Sequence, residues 1–92
     1  MATNAAHNAR QVVENVERIV AIELLAAAQG VDFRREQLGA SAVLGKGTAA
    51  AYAAIRECVP FLEHDAPLTP MIEAVCDLLS SGALVQAVEA VL

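Results

Sequence analysis

The sequence predicts an all-α chain, with one long helix followed by three shorter ones. Three observations carry that expectation. No Gly or Pro interrupts residues 3–29. Apolar residues recur at helical spacing, with no alternation of the kind that marks strands. The hydrophobic content is 57% while aromatic residues make up only 3%, so the apolar surface comes from Ala, Val, Leu and Ile, which suit helices packed closely together.

The first element is expected over residues 3–29. Thr3 or Asn4 supplies a helix cap, and Gly30 fits the left-handed position just past a helix end. Its first half is amphipathic: Ala5, Ala9, Val12, Val13, Val16, Ile19 and Val20 share one side, opposite Arg10, Gln11, Glu14, Glu17 and Arg18. Over residues 19–28 the polar side vanishes except for Glu23, and a helix apolar all round requires neighbours all round. At about 40 Å this helix exceeds anything else in the chain that could cover it, so part of its cover is expected from a partner.

Residues 30–47 read as a loop with one helical turn, because Gly39, Gly45 and Gly47 fall there without sustained periodicity. Thr48 is expected to cap a second helix over about 48–59, which Pro60 stops. An extended connector follows, restricted by Pro67. Thr69-Pro70 has the pairing of a helix start, giving a third helix over about 70–80 that buries Ile72, Val75, Leu78 and Leu79 and ends near Gly82. A final helix over about 83–91 sets Leu84, Val85, Val88 and Leu92 on one side.

A single domain of 92 residues buries only about 60–65% of the surface its unfolded chain exposes. A mean hydropathy of +0.48 is high for so small a body, which again points to a partner. The formal net charge of −5 argues against nucleic acid, because phosphate binding needs clustered Lys and Arg. The longest apolar run is about half of the roughly 20 residues that span a bilayer. No secretory leader is recognisable at the start, and a cytoplasmic setting with reduced, buried thiols at Cys58 and Cys76 is the expectation.

Candidate chemistry is thin. Gly45-Lys46-Gly47-Thr48 resembles the end of a phosphate-binding loop, yet Ala40 stands where that loop needs its first Gly, and Gly47 follows the Lys in place of Ser or Thr. A flexible turn before a helix is the better reading. Cys58, His64, Asp65 and Cys76 are zinc-ligand types, but neither cysteine has a second ligand at the close spacing structural zinc sites use. Cys58 as a nucleophile with His64 rests on sequence proximity alone. His7 is a lone surface residue. Glu23 is the most demanding: a carboxylate within an apolar helix must be paired if buried, and a salt bridge to Arg56 or to a partner chain is expected ahead of a catalytic role. No catalytic, cofactor-binding or metal-binding residue is assigned.

Several runs carry a family resemblance. Val13-Glu14-Asn15-Val16, then Ala21-Ile22-Glu23-Leu24-Leu25-Ala26-Ala27-Ala28-Gln29 and Asp32-Phe33-Arg34, resemble the late part of bacterial histidine ammonia-lyases. Leu44-Gly45-Lys46-Gly47-Thr48, Ile55-Arg56, Val59-Pro60, Asp65, Pro67-Leu68 and Pro70 with Ile72-Glu73-Ala74 follow in the family's order. Met71 departs from it, standing where the family usually has Asp. The tyrosine and phenylalanine lyases and the aminomutases share this scaffold.

The resemblance implies that residues 1–92 form a C-terminal helical segment of a larger helical-bundle lyase. That family is a homotetramer which converts histidine to urocanate and ammonia with a methylidene-imidazolone electrophile made from Ala-Ser-Gly. It also implies that the family's catalytic residues lie upstream of the matched stretch, so none carries over, Tyr52 included. No Ala-Ser-Gly occurs here, so the electrophile is not expected to form from this sequence. Two roles follow as expectations. One is a non-catalytic scaffolding segment of a lyase, assembling as a homo-oligomer or with a lyase body through the apolar half of the first helix. The other is a free-standing helical module for self-association or protein interaction.

Overall fold

A computed structural model describes residues 2–92. It is all-helical, as expected: α1 (Ala2–Leu38), a short 3-10 helix (Gly39–Ser41), α2 (Lys46–Cys58), α3 (Thr69–Ser80) and α4 (Ala83–Glu89). The long first helix runs nine residues past its expected end. Gly30 lies inside it, with no atom near enough to meet an added Cβ. A single Gly costs a helix only about 1 kcal/mol relative to Ala, and Gln29, Asp32 and Arg35 recover that through contacts with α2 and the connector. The true break is Gly39, whose φ of +58° is the left-handed conformation that usually closes a helix.

Other boundaries shift for similar local reasons. Thr3 and Asn4 lie within α1 and do not cap it. Gly45, in extended conformation, is the N-cap of α2, so Thr48 is already inside that helix, and the Gly45 carbonyl accepts the Ala49 N–H at 2.8 Å. Leu68 precedes α3 and Pro70 falls in its first turn, where a missing N–H costs nothing. Gly82, at φ +79°, turns the chain from α3 into α4, which ends in a turn two residues earlier than periodicity suggests.

α1 packs chiefly on α3, and α2 on α4, with α3 also touching α2 and α4. The enclosed core is small: Ala21 and Ala28 of α1, Ile55 of α2, Val59, Val75 of α3 and Leu84 of α4. Small Ala side chains on α1 let α3 approach closely, so Val75 is completely buried. Leu24, Leu25, Ile72, Leu78 and Leu79 surround this core but remain partly open.

The molecule is long and flat, measuring 57 × 35 × 16 Å with a radius of gyration of 15.5 Å. A compact chain of this length has a radius near 12 Å. The 37 residues of α1 account for about 55 Å of the long axis. Its first 15 described residues, up to Val16, are all exposed, so the amino-terminal half of the helix projects beyond the body.

Candidate assembly surface

Where α1 meets α2, four side chains form a polar clamp. Arg56 on α2 donates to Asp32 Oδ2 from Nε at 3.0 Å and from Nη2 at 2.5 Å. Its Nη1 donates to the Val59 carbonyl at 3.0 Å, and Nη2 also reaches Gln29 Oε1 at 3.4 Å. The Tyr52 hydroxyl donates to Asp32 Oδ1. Arg35 and Arg56 place their guanidinium carbons 4.8 and 5.7 Å from the centre of the Tyr52 ring, close enough for cation–π attraction. Arg56 and Asp32 retain only 15% and 19% of their side-chain exposure, so the pair is shielded from water on most sides.

Gln29 extends the clamp to the connector. Its Nε2 donates to the Leu62 carbonyl at 2.8 Å, while its Oε1 accepts the Leu62 N–H at 3.3 Å. One amide side chain thereby satisfies both backbone groups of a residue that has no helical neighbours. Phe33 and Phe61 meet edge to face at 5.7 Å beside this contact, so polar and aromatic contacts together hold the connector to α1.

This clamp corrects the reading of Glu23. Glu23 is exposed, and Arg56, its suggested partner, is engaged by Asp32. Cys58 is exposed as well, contrary to the expected buried thiol, and Cys76 is half-buried. No group of three His, Cys, Asp or Glu among the described residues is arranged to hold a metal ion. His7 stands on the projecting arm and His64 in the connector, both exposed. Lys46 and Thr48 simply open α2. Tyr52 serves the clamp. Sequence reasoning overlooked the Gln29–Asp32–Tyr52–Arg56 group, although a usable signal was present: Gln29 and Asp32 are three apart on one helix and Tyr52 and Arg56 four apart on another, which places each pair on a single face.

The exposed apolar residues point to a different kind of site. Val12, Val13, Val16, Ile19 and Ile22 of α1 are 60%, 56%, 51%, 57% and 48% exposed. An open groove runs beside them between Val12, Val13, Val16 and Val20 of α1 and Leu79 of α3. A second apolar cavity of about 210 Å³ lies between Ile22 and Leu25 of α1, Leu62 and Leu68 of the connector, and Met71 and Ile72 of α3, with Gln29 and Arg56 at its edge. Total accessible surface is 6525 Å², against about 5,100 Å² for a compact protein of this mass. The excess reflects the elongated shape, and the exposed Val12, Val13, Val16, Ile19 and Ile22 within it form a surface suited to packing against other helices. No single helix among the described residues is long and apolar enough to cross a membrane.

Relatives include histidine ammonia-lyases of Symbiobacterium thermophilum, 53% identical over 91 residues, or 99% of this chain and 17% of the relative; of Sorangium cellulosum, 51% identical over 89 residues, or 97% and 16%; and of Chloroflexus aurantiacus, 44% identical over 87 residues, or 95% and 17%. The chain thus spans about a sixth of the length of these relatives. No solved structure matches it. Residues 1–57 match the family described as aromatic amino acid lyase, and on that match and these identities the chain belongs to the aromatic amino acid lyase family.

Proposed function

We propose that this chain is a scaffolding segment of a histidine ammonia-lyase, the C-terminal helical part of an assembly that converts histidine to urocanate and ammonia in the cytoplasm. The observation that carries this reading is the exposed seam of α1 around Val12, Val16 and Ile19, which a chain of this mass cannot cover alone and which further lyase helices would bury. The identity of about half its residues to histidine ammonia-lyases supports the choice of that substrate within the family. The family's methylidene-imidazolone needs Ala-Ser-Gly, which is absent from these 92 residues, so the electrophile and the residues around it belong to the lyase body. In this reading the chain's task is to position helices, with the Arg56–Asp32 clamp and the Gln29–Leu62 contact keeping the connector and α2 in register with α1.

The test is complementation. The lyase of Symbiobacterium thermophilum, expressed without the 91 residues matched here, is mixed with this chain, and co-migration and urocanate absorbance are followed. A complex that regains histidine-dependent absorbance supports the proposal, and Val16→Asp should prevent both. Failure of the two parts to associate, or association that Val16→Asp leaves intact, would overturn it.

A further inference from the structure

The amino-terminal half of α1 is helical without tertiary support. Residues 2–16 are all exposed, and the enclosed core begins only at Ala21. Val12, Val13 and Val16 face Leu79 of α3 across an open groove. The one salt bridge among the described residues, Arg56–Asp32, lies near the other end of the helix. Helices in proteins draw most of their stability from packing an apolar face, and a segment of about 12–15 residues is marginal alone even when rich in Ala. This segment is a weaker former than that. Thr, Asn, His and Val make up eight of its fifteen residues, and each propagates a helix less well than Ala, Val by crowding of its branched side chain and Asn by competing for the backbone. Arg10 precedes Glu14, which is the weaker orientation of a pair four residues apart. The rest of α1 is fastened, by Ala21 and Ala28 in the core and by Gln29 and Asp32 in the clamp.

We infer that residues 2–16 are a conditional arm, largely unfolded in the free chain and helical when a lyase body covers Val12 and Val16. The full-length α1 is then the docked form. Because the helix from Glu17 onward is already in place, the arm grows by propagation and needs no new nucleus. Its ordering cost becomes part of the docking free energy, so affinity follows helix propensity even at positions that contribute nothing to the seam. His7 and Glu14 are such positions: both are exposed, and at 100° per residue they lie about 160–180° round the helix from Val16. This inference rests on the scaffolding proposal and adds to it how docking is controlled.

The test is hydrogen exchange on the 92-residue chain, free and mixed with the Symbiobacterium thermophilum lyase lacking the 91 matched residues. In the free chain, amides of residues 6–16 are expected to exchange within about tenfold of unstructured rates, far faster than those of residues 24–37. The lyase body should slow the arm by about tenfold or more. Titration supplies the second measurement. His7→Ala should bind the body roughly fivefold more tightly than His7→Gly, and Glu14→Ala than Glu14→Gly, since Ala and Gly differ by about that factor in helix formation. A preformed helix would give equal affinities within each pair. A free arm as protected as residues 24–37, or Ala and Gly variants of equal affinity, overturns the inference and leaves the scaffolding proposal standing. Failure of the body to bind any of these chains overturns both.

Discussion

Arg56 grips Asp32 from two nitrogens, at 3.0 and 2.5 Å, and thereby ties the last turn of α2 to the ninth turn of α1. The two residues are 24 apart in sequence, so this pair closes the long loop between the helices. Because the guanidinium also holds the Val59 carbonyl, it connects the helix pairing to the exit of the chain toward α3.

Arg56→Ala should destabilise the fold by about 2–3 kcal/mol, because it leaves Asp32 shielded without its counter-charge and frees the Val59 carbonyl. Arg56→Lys should recover only part of this, since an ammonium cannot reproduce the planar fork. Urea unfolding midpoints of the two variants, at unchanged m-value, are the measurement. Equal midpoints for Arg56→Ala and wild type would show that the clamp contributes nothing.

Gln29→Ala removes both partners of the Leu62 backbone and should cost about 1–2 kcal/mol. Gln29→Glu keeps an acceptor for the Leu62 N–H but places a carboxylate oxygen against the Leu62 carbonyl, so it should be at least as damaging. Amide hydrogen exchange should speed up at Leu62 and Phe61 in both variants, while exchange at Val75 changes only as far as global stability does.

Gly30, within α1, and the two left-handed glycines, Gly39 and Gly82, should respond in opposite directions. Gly30 is helical with open space around it, so Gly30→Ala should raise helix content and stabilise the chain by up to about 1 kcal/mol. Gly39 at φ +58° and Gly82 at φ +79° are in left-handed conformation, and Ala at either should cost roughly 1–2 kcal/mol. Thermal melting by circular dichroism distinguishes the two behaviours, and a destabilising Gly30→Ala would contradict an unbroken α1.

Val12→Asp and Val16→Asp alter residues that are more than half exposed, so the isolated chain should keep its stability to within about 0.5 kcal/mol. Each should nevertheless abolish association with a lyase body, because docking would bury an unpaired carboxylate in an apolar contact. Melting temperature and co-migration, measured on the same samples, separate the two effects. A large loss of stability would show that this face is already used within the chain.

The order and type of the helices were legible because they follow from local features. Helical spacing of Val and Leu, Pro60 as a stop, Pro70 in a first turn and Gly82 as a left-handed hinge each act within a few residues. The end of α1 was not legible, since Gly30 carries the same local signature as a terminus and only contacts made by Gln29, Asp32 and Arg35 with distant residues keep the helix going. The clamp was hidden for the same reason: its halves are 24 residues apart, and periodicity places residues on a face without saying which faces meet. Glu23 was misplaced because an all-round apolar run implies burial only if neighbours exist on every side.

By itself, then, the amino-acid sequence determined that this protein is helical, acidic, richer in apolar surface than its size can enclose, and similar to histidine ammonia-lyases along nearly its whole length. Only the tertiary structure decided which side of α1 is left open, that Asp32 and not Glu23 takes Arg56, and that Gly39 and not Gly30 ends the helix. The physical reason is range. Propensity and spacing act over one or two turns, whereas pairing and burial depend on which distant surfaces the packed helices bring together.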